Sequence, residues 1–276
     1  MVEDVHSIDT NAKDAARAQW NRTPCGSGRY LDEYEPNTLD YFDAVRRSRY
    51  QVTDTWIPRT VNFASARGGR MLEIGFGMGS DLLSWAEGGA EVHGIDITEE
   101  HFRLARLNFE LHGRTADLRL CDAASIDFPD NHFDVVYSNG VLHHTPDTVR
   151  CIGEAWRVLK PGGRFILALY HRWSAYHLVT LLLYRGILRG ELRRLGYDGL
   201  LATIEHGADG IDRKPLVKLY GRRELRHILG DFREVQICVR HFQGEQLPLV
   251  GRVMPRFLER LIEPWLGWYV IAIATK

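Results

Sequence analysis

Residues 70–81 read RMLEIGFGMGSD, an apolar run followed by Gly75, Gly77 and Gly79. A glycine-rich turn between a strand and a helix lets backbone N–H groups approach a ligand closely. The spacing here is G-x-G-x-G, whereas the dinucleotide fingerprint is G-x-G-x-x-G. Glu73 stands just before the glycines. A carboxylate there repels a pyrophosphate and suits a cationic ligand, one with an ammonium and a sulfonium. That favours S-adenosylmethionine (SAM) over NAD. Asp96 follows Gly79 by 17 residues, at the end of the next predicted strand, where a carboxylate can take both ribose hydroxyls. Asp122 ends the strand after that, where a carboxylate can accept from an adenine amino group.

These residues need a scaffold that alternates strands with helices. RMLEIG, AEVHGIDI, TADLRLCDA, HFDVVYSNG and RFILALY read as five strands. Between them, SDLLSWAEGG and TEEHFRLARLNFELHG read as helices, the second capped by Thr98 and stopped by Gly113. DTVRCIGEAWRVLKPGG reads as a third helix ending in a Pro-Gly-Gly turn. Such alternation implies a parallel sheet with right-handed crossovers. FREVQICVRH and GWYVIAIATK are late strands too close in sequence for both to be parallel, so one is placed antiparallel at the sheet edge.

The stretches LEIGFGMGSD, HGIDIT, CDAASIDFPDNHFDVVYSNGVLHH and LKPGGRF resemble class I SAM-dependent methyltransferases, in particular the broad ubiquinone/menaquinone-methyltransferase-like group. The resemblance covers roughly residues 68–170. It implies an α/β, Rossmann-like class I methyltransferase fold. The sheet would be seven-stranded and mostly parallel, in the order 3-2-1-4-5-7-6 with strand 7 antiparallel, and helices would cover both faces. By position it makes Glu73, Gly75, Gly77 and Gly79 the cradle for methionine and ribose. Asp96 binds the ribose, with Ile97 against the adenine. Asp122 and Ala123 hold the adenine edge, and Asn139 and Gly140 lie by the sulfonium. The implied cofactor is SAM and its product S-adenosylhomocysteine.

Methyl transfer is an in-line displacement in which the protein aligns the nucleophile and excludes water. A base helps if the nucleophile carries a proton. His143 and His144 follow the fourth strand at the sheet's carboxyl edge, where open α/β folds bind ligands. They are the catalytic candidates, with Tyr170 and His171 behind them. The same loop reads SNGVLHH and lacks the Asn/Asp-Pro-Pro-aromatic motif of enzymes that methylate nucleic-acid amines. With only five lysines in the chain, a nucleic-acid partner is not expected. The acceptor is expected to be a small molecule, lipophilic or aromatic, methylated on O, C or N.

Residues 1–66 are read as an N-terminal helical lid or wrap, and 67–276 as the SAM-binding domain. A helical substrate-side insertion is placed at about 171–230. The lid carries Trp20, Cys25, Tyr30 and Tyr34 around a glycine hinge, and Cys25 could be a nucleophile on residue type alone. HRWSAYHLVTLLLYRGILRGELRRL is apolar first and then carries Arg185, Arg189, Arg193 and Arg194. It could clamp a lipophilic substrate, pack on the core, or make a peripheral membrane contact through 173–195.

The chain has 276 residues, 45% apolar and 26% charged, an ordinary globular balance. Residues 1–149 carry 14 Lys+Arg against 24 Asp+Glu, and residues 150–276 carry 21 against 12. The two halves therefore face different partners or each other, and the arginines of the second half are either a solvated surface or face an anionic substrate or membrane headgroups. Four scattered cysteines without a CxxC pair disfavour structural zinc and a disulfide framework, so no metal site is expected. The N-terminus has no apolar signal region and the longest apolar run is too short to span a bilayer, so a cytoplasmic location is expected. A homodimer is compatible with the sequence. A SAM-binding subunit without turnover and a peripheral membrane lipid methyltransferase remain as alternative readings.

Overall fold

The computed structural model describes residues 2–26, 33–205, 216–248 and 254–276, with side chains from Ala12 onward. Seven strands form one sheet. They are β1 (Arg70–Ile74), β2 (Glu91–Asp96), β3 (Asp117–Leu120), β4 (Phe133–Asn139), β5 (Leu159–Tyr170), β6 (Arg233–Arg240) and β7 (Tyr269–Thr275). Their spatial order is β3-β2-β1-β4-β5-β7-β6. The first five pair in parallel, and β7 is antiparallel to both neighbours. The expected strand order holds.

The edge placement of the antiparallel strand does not. β7 lies between β5 and β6, and β6 is the edge. The burial of Val270, Ile271, Ala272 and Ala274 explains this, because an apolar strand of that kind needs covered faces and a partner on each side. β6 is largely half-exposed and tolerates the rim.

Alternate residues of each strand feed opposite faces. Leu72, Ile74, Val136, Phe165 and Leu167 join one core cluster. Met71, Val135, Tyr137, Ile166 and Ala168 join the other. Helices cover both faces: α1 (Val2–Arg22), α2 (Leu39–Ser48), α3 (Ile57–Thr60), α4 (Ser80–Glu87), α5 (Glu99–Leu111), α6 (Thr148–Val158), α7 (Glu191–Ala202), α8 (Arg222–Ile228) and α9 (Arg256–Leu266).

Two local readings are corrected. α6 ends at Val158, and Leu159 already pairs with Phe133 of β4, so Lys-Pro-Gly-Gly belongs to the entry of β5. Lys160 is held there by both oxygens of Asp134, each at 2.8 Å. Thr98 does occupy the N-cap of α5, but its hydroxyl makes no cap bond. The open N–H of Glu100 donates instead to Asn21 Oδ1 of α1 at 2.9 Å, so the N-terminal helix supplies the cap.

The segment after β5 folds into a wide π-type helix, Tyr176–Leu188, followed by α7. The chain then returns beside the site. Lys218 N–H donates to His143 O at 3.0 Å and Tyr220 N–H to Tyr170 O at 2.9 Å. Leu181, Leu201, Val217 and Leu219 pack with Tyr170 and Trp268 into a third apolar cluster over the strand ends. Arg185 of this insertion is tied to Glu191, at 2.6 Å. Among the described residues no helix is long and apolar enough to cross a membrane.

Candidate active site

The turn after β1 holds Gly75 at φ +78° and Gly77 at φ +54°, a region that side chains other than glycine rarely adopt. A Cβ at Gly75 would come within 2.3 Å of Val141, so the turn packs against the loop after β4. A Cβ at Gly77 would meet nothing within 4 Å. The space in front of Gly77 is therefore open to a ligand. Gly79 caps α4 and faces Ala105, so it shapes the turn without lining the cavity.

Glu73 is buried, and its Oε2 accepts no hydrogen bond. Burial pushes its carboxyl well above the usual range, with the nearby Asp81 charge adding to the effect. Such a group is costly alone and is matched by a cation. Asp96 Oδ2 accepts from Gly77 N–H at 3.2 Å, and its Oδ1 accepts from Thr98 N–H at 3.0 Å. His101 Nδ1 lies 3.1 Å from the same Oδ2. These contacts fix the carboxylate at the end of β2 with lone pairs left for hydroxyl donors. Asp122 accepts from Lys13 Nζ at 2.6 Å and from Ala124 N–H at 2.9 Å. Burial raises its carboxyl, but these two bonds outweigh it and hold the group below its ordinary value. Asn139 carries a buried Oδ1 that accepts no bond.

Several contributors were not foreseen from the sequence. Arg49 donates to Asp81 twice, at 2.9 Å and 2.9 Å, and the hydroxyls of Tyr50 and Tyr137 add bonds of 2.9 Å each. This network ties the N-terminal segment to the first turn of α4. Burial opposes ionisation of Asp81, yet Arg49 and the hydroxyls prevail and its carboxyl is lowered. α1 adds Lys13 over Asp122, Arg17 Nε donating to Ile97 O at 3.1 Å, and Trp20 edge-on to His144.

All of this opens into one cavity of about 520 Å³. Glu73, Gly75, Gly77, Asp96, Ile97 and Asp122 line one end, continuing through Ala123, Asn139 and Gly140. The other end is walled by Tyr170, Tyr176, Trp268 and Tyr269, and Trp20 lines the cavity edge-on to His144. His144 and Glu205 form its polar corner. His144 Nδ1 lies 2.7 Å from Leu216 O, which requires a proton on Nδ1, and its Nε2 lies 3.5 Å from Glu205 Oε1. Tyr170 donates to Glu205 at 2.7 Å.

The rings of His143 and His144 lie side by side, centroids 4.1 Å apart, yet only His144 lines the cavity. A single 3₁₀ turn, Leu142–His144, carries both. His143 is 0% exposed and lies off the cavity lining, its ring tilted against that of Tyr170 with centroids 3.8 Å apart. Burial, followed by the neighbouring His144 and Lys218, lowers its pKa well below the ordinary value, so it is neutral. His171 bonds Gly267 O at 3.1 Å, also off the cavity. Cys25 lines the cavity, Tyr34 packs with Tyr41 and Phe42 away from it, and Tyr30 lies outside the described residues.

Comparison with known proteins agrees with the geometry. Residues 72–167 match the methyltransferase-domain family. The chain is 31% identical over 175 residues to a ubiquinone biosynthesis O-methyltransferase of Thiobacillus denitrificans, covering 57% of this chain and 74% of that protein. This chain belongs to the class I SAM-dependent methyltransferases. A phosphoethanolamine N-methyltransferase of Caenorhabditis elegans is 37% identical over 106 residues, covering 37% of this methyltransferase. Only 24% of that relative is spanned, about a quarter of its length. A SAM-dependent methyltransferase from Methanosarcina mazei has the same fold, with a TM-score of 0.54 and 24% identity. That match covers 80% of this chain and 96% of that one.

The residues fit SAM. The orphaned Glu73 carboxyl suits the methionine ammonium, the open space at Gly77 admits the ligand backbone, and Asp96 is poised for ribose hydroxyls.

Proposed function

We propose that this methyltransferase alkylates a hydroxyl oxygen on a small, lipophilic, aromatic acceptor. The observation that carries the reading is the aromatic chamber, continuous with the cofactor cradle and ending at the His144–Glu205 corner. Tyrosine and tryptophan walls bind flat apolar molecules by area and ring contact. Among the described lining residues the two permanent cations, Lys13 and Arg49, are already paired with Asp122 and with Asp54 and Asp81. Among the described residues, a phosphorylated acceptor such as phosphoethanolamine would find no uncommitted lysine or arginine there.

When bound, SAM supplies a methyl carbon on a sulfonium leaving group. The chain's own residues do the rest. The aromatic walls orient the acceptor and exclude water, which supplies much of the rate through effective molarity. The corner of His144 and Glu205 receives the acceptor's hydroxyl and removes its proton. Residues 1–66 act as the lid, since Lys13 and Trp20 of α1 already reach the cavity from outside the sheet.

The test is an acceptor panel of catechols, alkylphenols and phosphoethanolamine incubated with SAM, with products identified by mass spectrometry. A methyl ether from the aromatic alcohols, matched one-to-one by S-adenosylhomocysteine, is expected. Methylation confined to phosphoethanolamine would refute the reading.

A further inference from the structure

His143 is wholly buried, and among the described residues neither ring nitrogen has a hydrogen-bond partner. A buried imidazole with two orphaned nitrogens is costly and calls for a ligand. One nitrogen of His143, one of His144 and one carboxylate oxygen of Glu205 all lie within 4.8 Å of one another. We infer that these three residues bind one divalent transition-metal ion of the zinc class, with its open position toward the acceptor chamber.

Three features of the surroundings agree. His144 gives its Nδ1 proton to Leu216 O at 2.7 Å, which leaves Nε2 as the ligand atom. Glu205 accepts from Tyr170 at 2.7 Å. Outer hydrogen bonds of this kind orient metal-binding imidazoles and carboxylates. Second, two imidazoles with one carboxylate form a donor set that suits zinc and neighbouring metals, whereas magnesium and calcium prefer all-oxygen shells. Third, His144 and Glu205 line the cavity while His143 closes the site from behind. Three protein ligands with an open fourth position is the pattern of a working metal, not a structural one. Lys218, the nearby cation, is turned to Pro146 O at 2.7 Å and Thr148 Oγ1 at 3.1 Å.

The site's role in turnover rests on the hydroxyl-acceptor reading; its existence does not. In that role the acceptor's O–H bond breaks, the oxygen keeps the electron pair and takes the open position, and the proton leaves to water. A metal ion lowers the pKa of a bound hydroxyl far enough for this near neutral pH. The same oxygen pair then forms the bond to the methyl carbon, and the carbon–sulfur pair departs on sulfur.

Calorimetric titration of the chelator-treated full chain with ZnCl₂, without SAM or acceptor, tests the site. One Zn²⁺ per chain is expected, with no binding heat from MgCl₂. His143→Ala and Glu205→Gln should each weaken Zn²⁺ binding by roughly 10–100-fold or more, while S-adenosylhomocysteine binding persists as a check on folding. Glu205 lines the cavity and is only partly buried, so its variant remains informative should His143→Ala fail to fold. Absence of a stoichiometric site, or a site unchanged in Glu205→Gln, overturns the inference and leaves the acceptor reading standing. Zinc binding without any methyl ether product leaves the site standing and overturns the acceptor reading.

Discussion

His144→Ala should lower turnover by roughly 10²–10⁴-fold, the span associated with removing a group that manages a proton in the transition state. S-adenosylhomocysteine affinity should be nearly unchanged. The expectation follows from placement. His144 lines the aromatic end of the cavity, with Nδ1 committed to Leu216 and Nε2 beside Glu205. Glu73, Asp96 and the glycine turn hold the other end. A variant that lost cofactor affinity instead would move His144 into the cofactor shell. The readout is kcat with an accepted aromatic alcohol, alongside calorimetry with S-adenosylhomocysteine.

Glu73→Gln should reverse that pattern and weaken S-adenosylhomocysteine binding by roughly 2–5 kcal/mol, the cost of truncating one partner of a buried charge pair. At about 1.4 kcal/mol per tenfold, that is between about 30-fold and several thousandfold. The pH dependence has a definite sign. In the free protein, burial and then the Asp81 charge raise the Glu73 carboxyl well above its usual range, which favours the protonated form. Pairing with an ammonium needs the carboxylate. Binding therefore releases a proton, and affinity rises with pH until Glu73 is already ionised in the free protein, then levels. Titrations in two buffers of different ionisation enthalpy should give different apparent heats for the wild type and the same heat for Glu73→Gln. Proton uptake by the wild type would contradict the assignment.

The cofactor half of this site was largely visible in the sequence, because its determinants are local. Glu73 and its glycines occupy one strand-turn, and Asp96 ends the next strand. The structure adds what short-range patterns do not carry. Arg49 reaches Asp81 from a π-type turn at the end of α2, across 32 residues, and only tertiary packing makes that pair. Glu205 lies in an insertion with no motif, and it joins the site through the bond from Tyr170 and the approach of His144, contacts that only tertiary packing makes. Adjacent His143 and His144 looked equivalent in sequence, and the tight turn sends one to the cavity and the other behind it. The position of β7 depended on burial of both its faces, which spacing along the chain does not reveal.

The most direct measurement is a crystal structure with S-adenosylhomocysteine and a soaked alkylphenol. The account predicts the adenosine at Asp96 and Asp122, the phenol ring against the Tyr176–Trp268 wall, and its oxygen at the His144–Glu205 corner. A phenol bound elsewhere, with the chamber left empty, would contradict it.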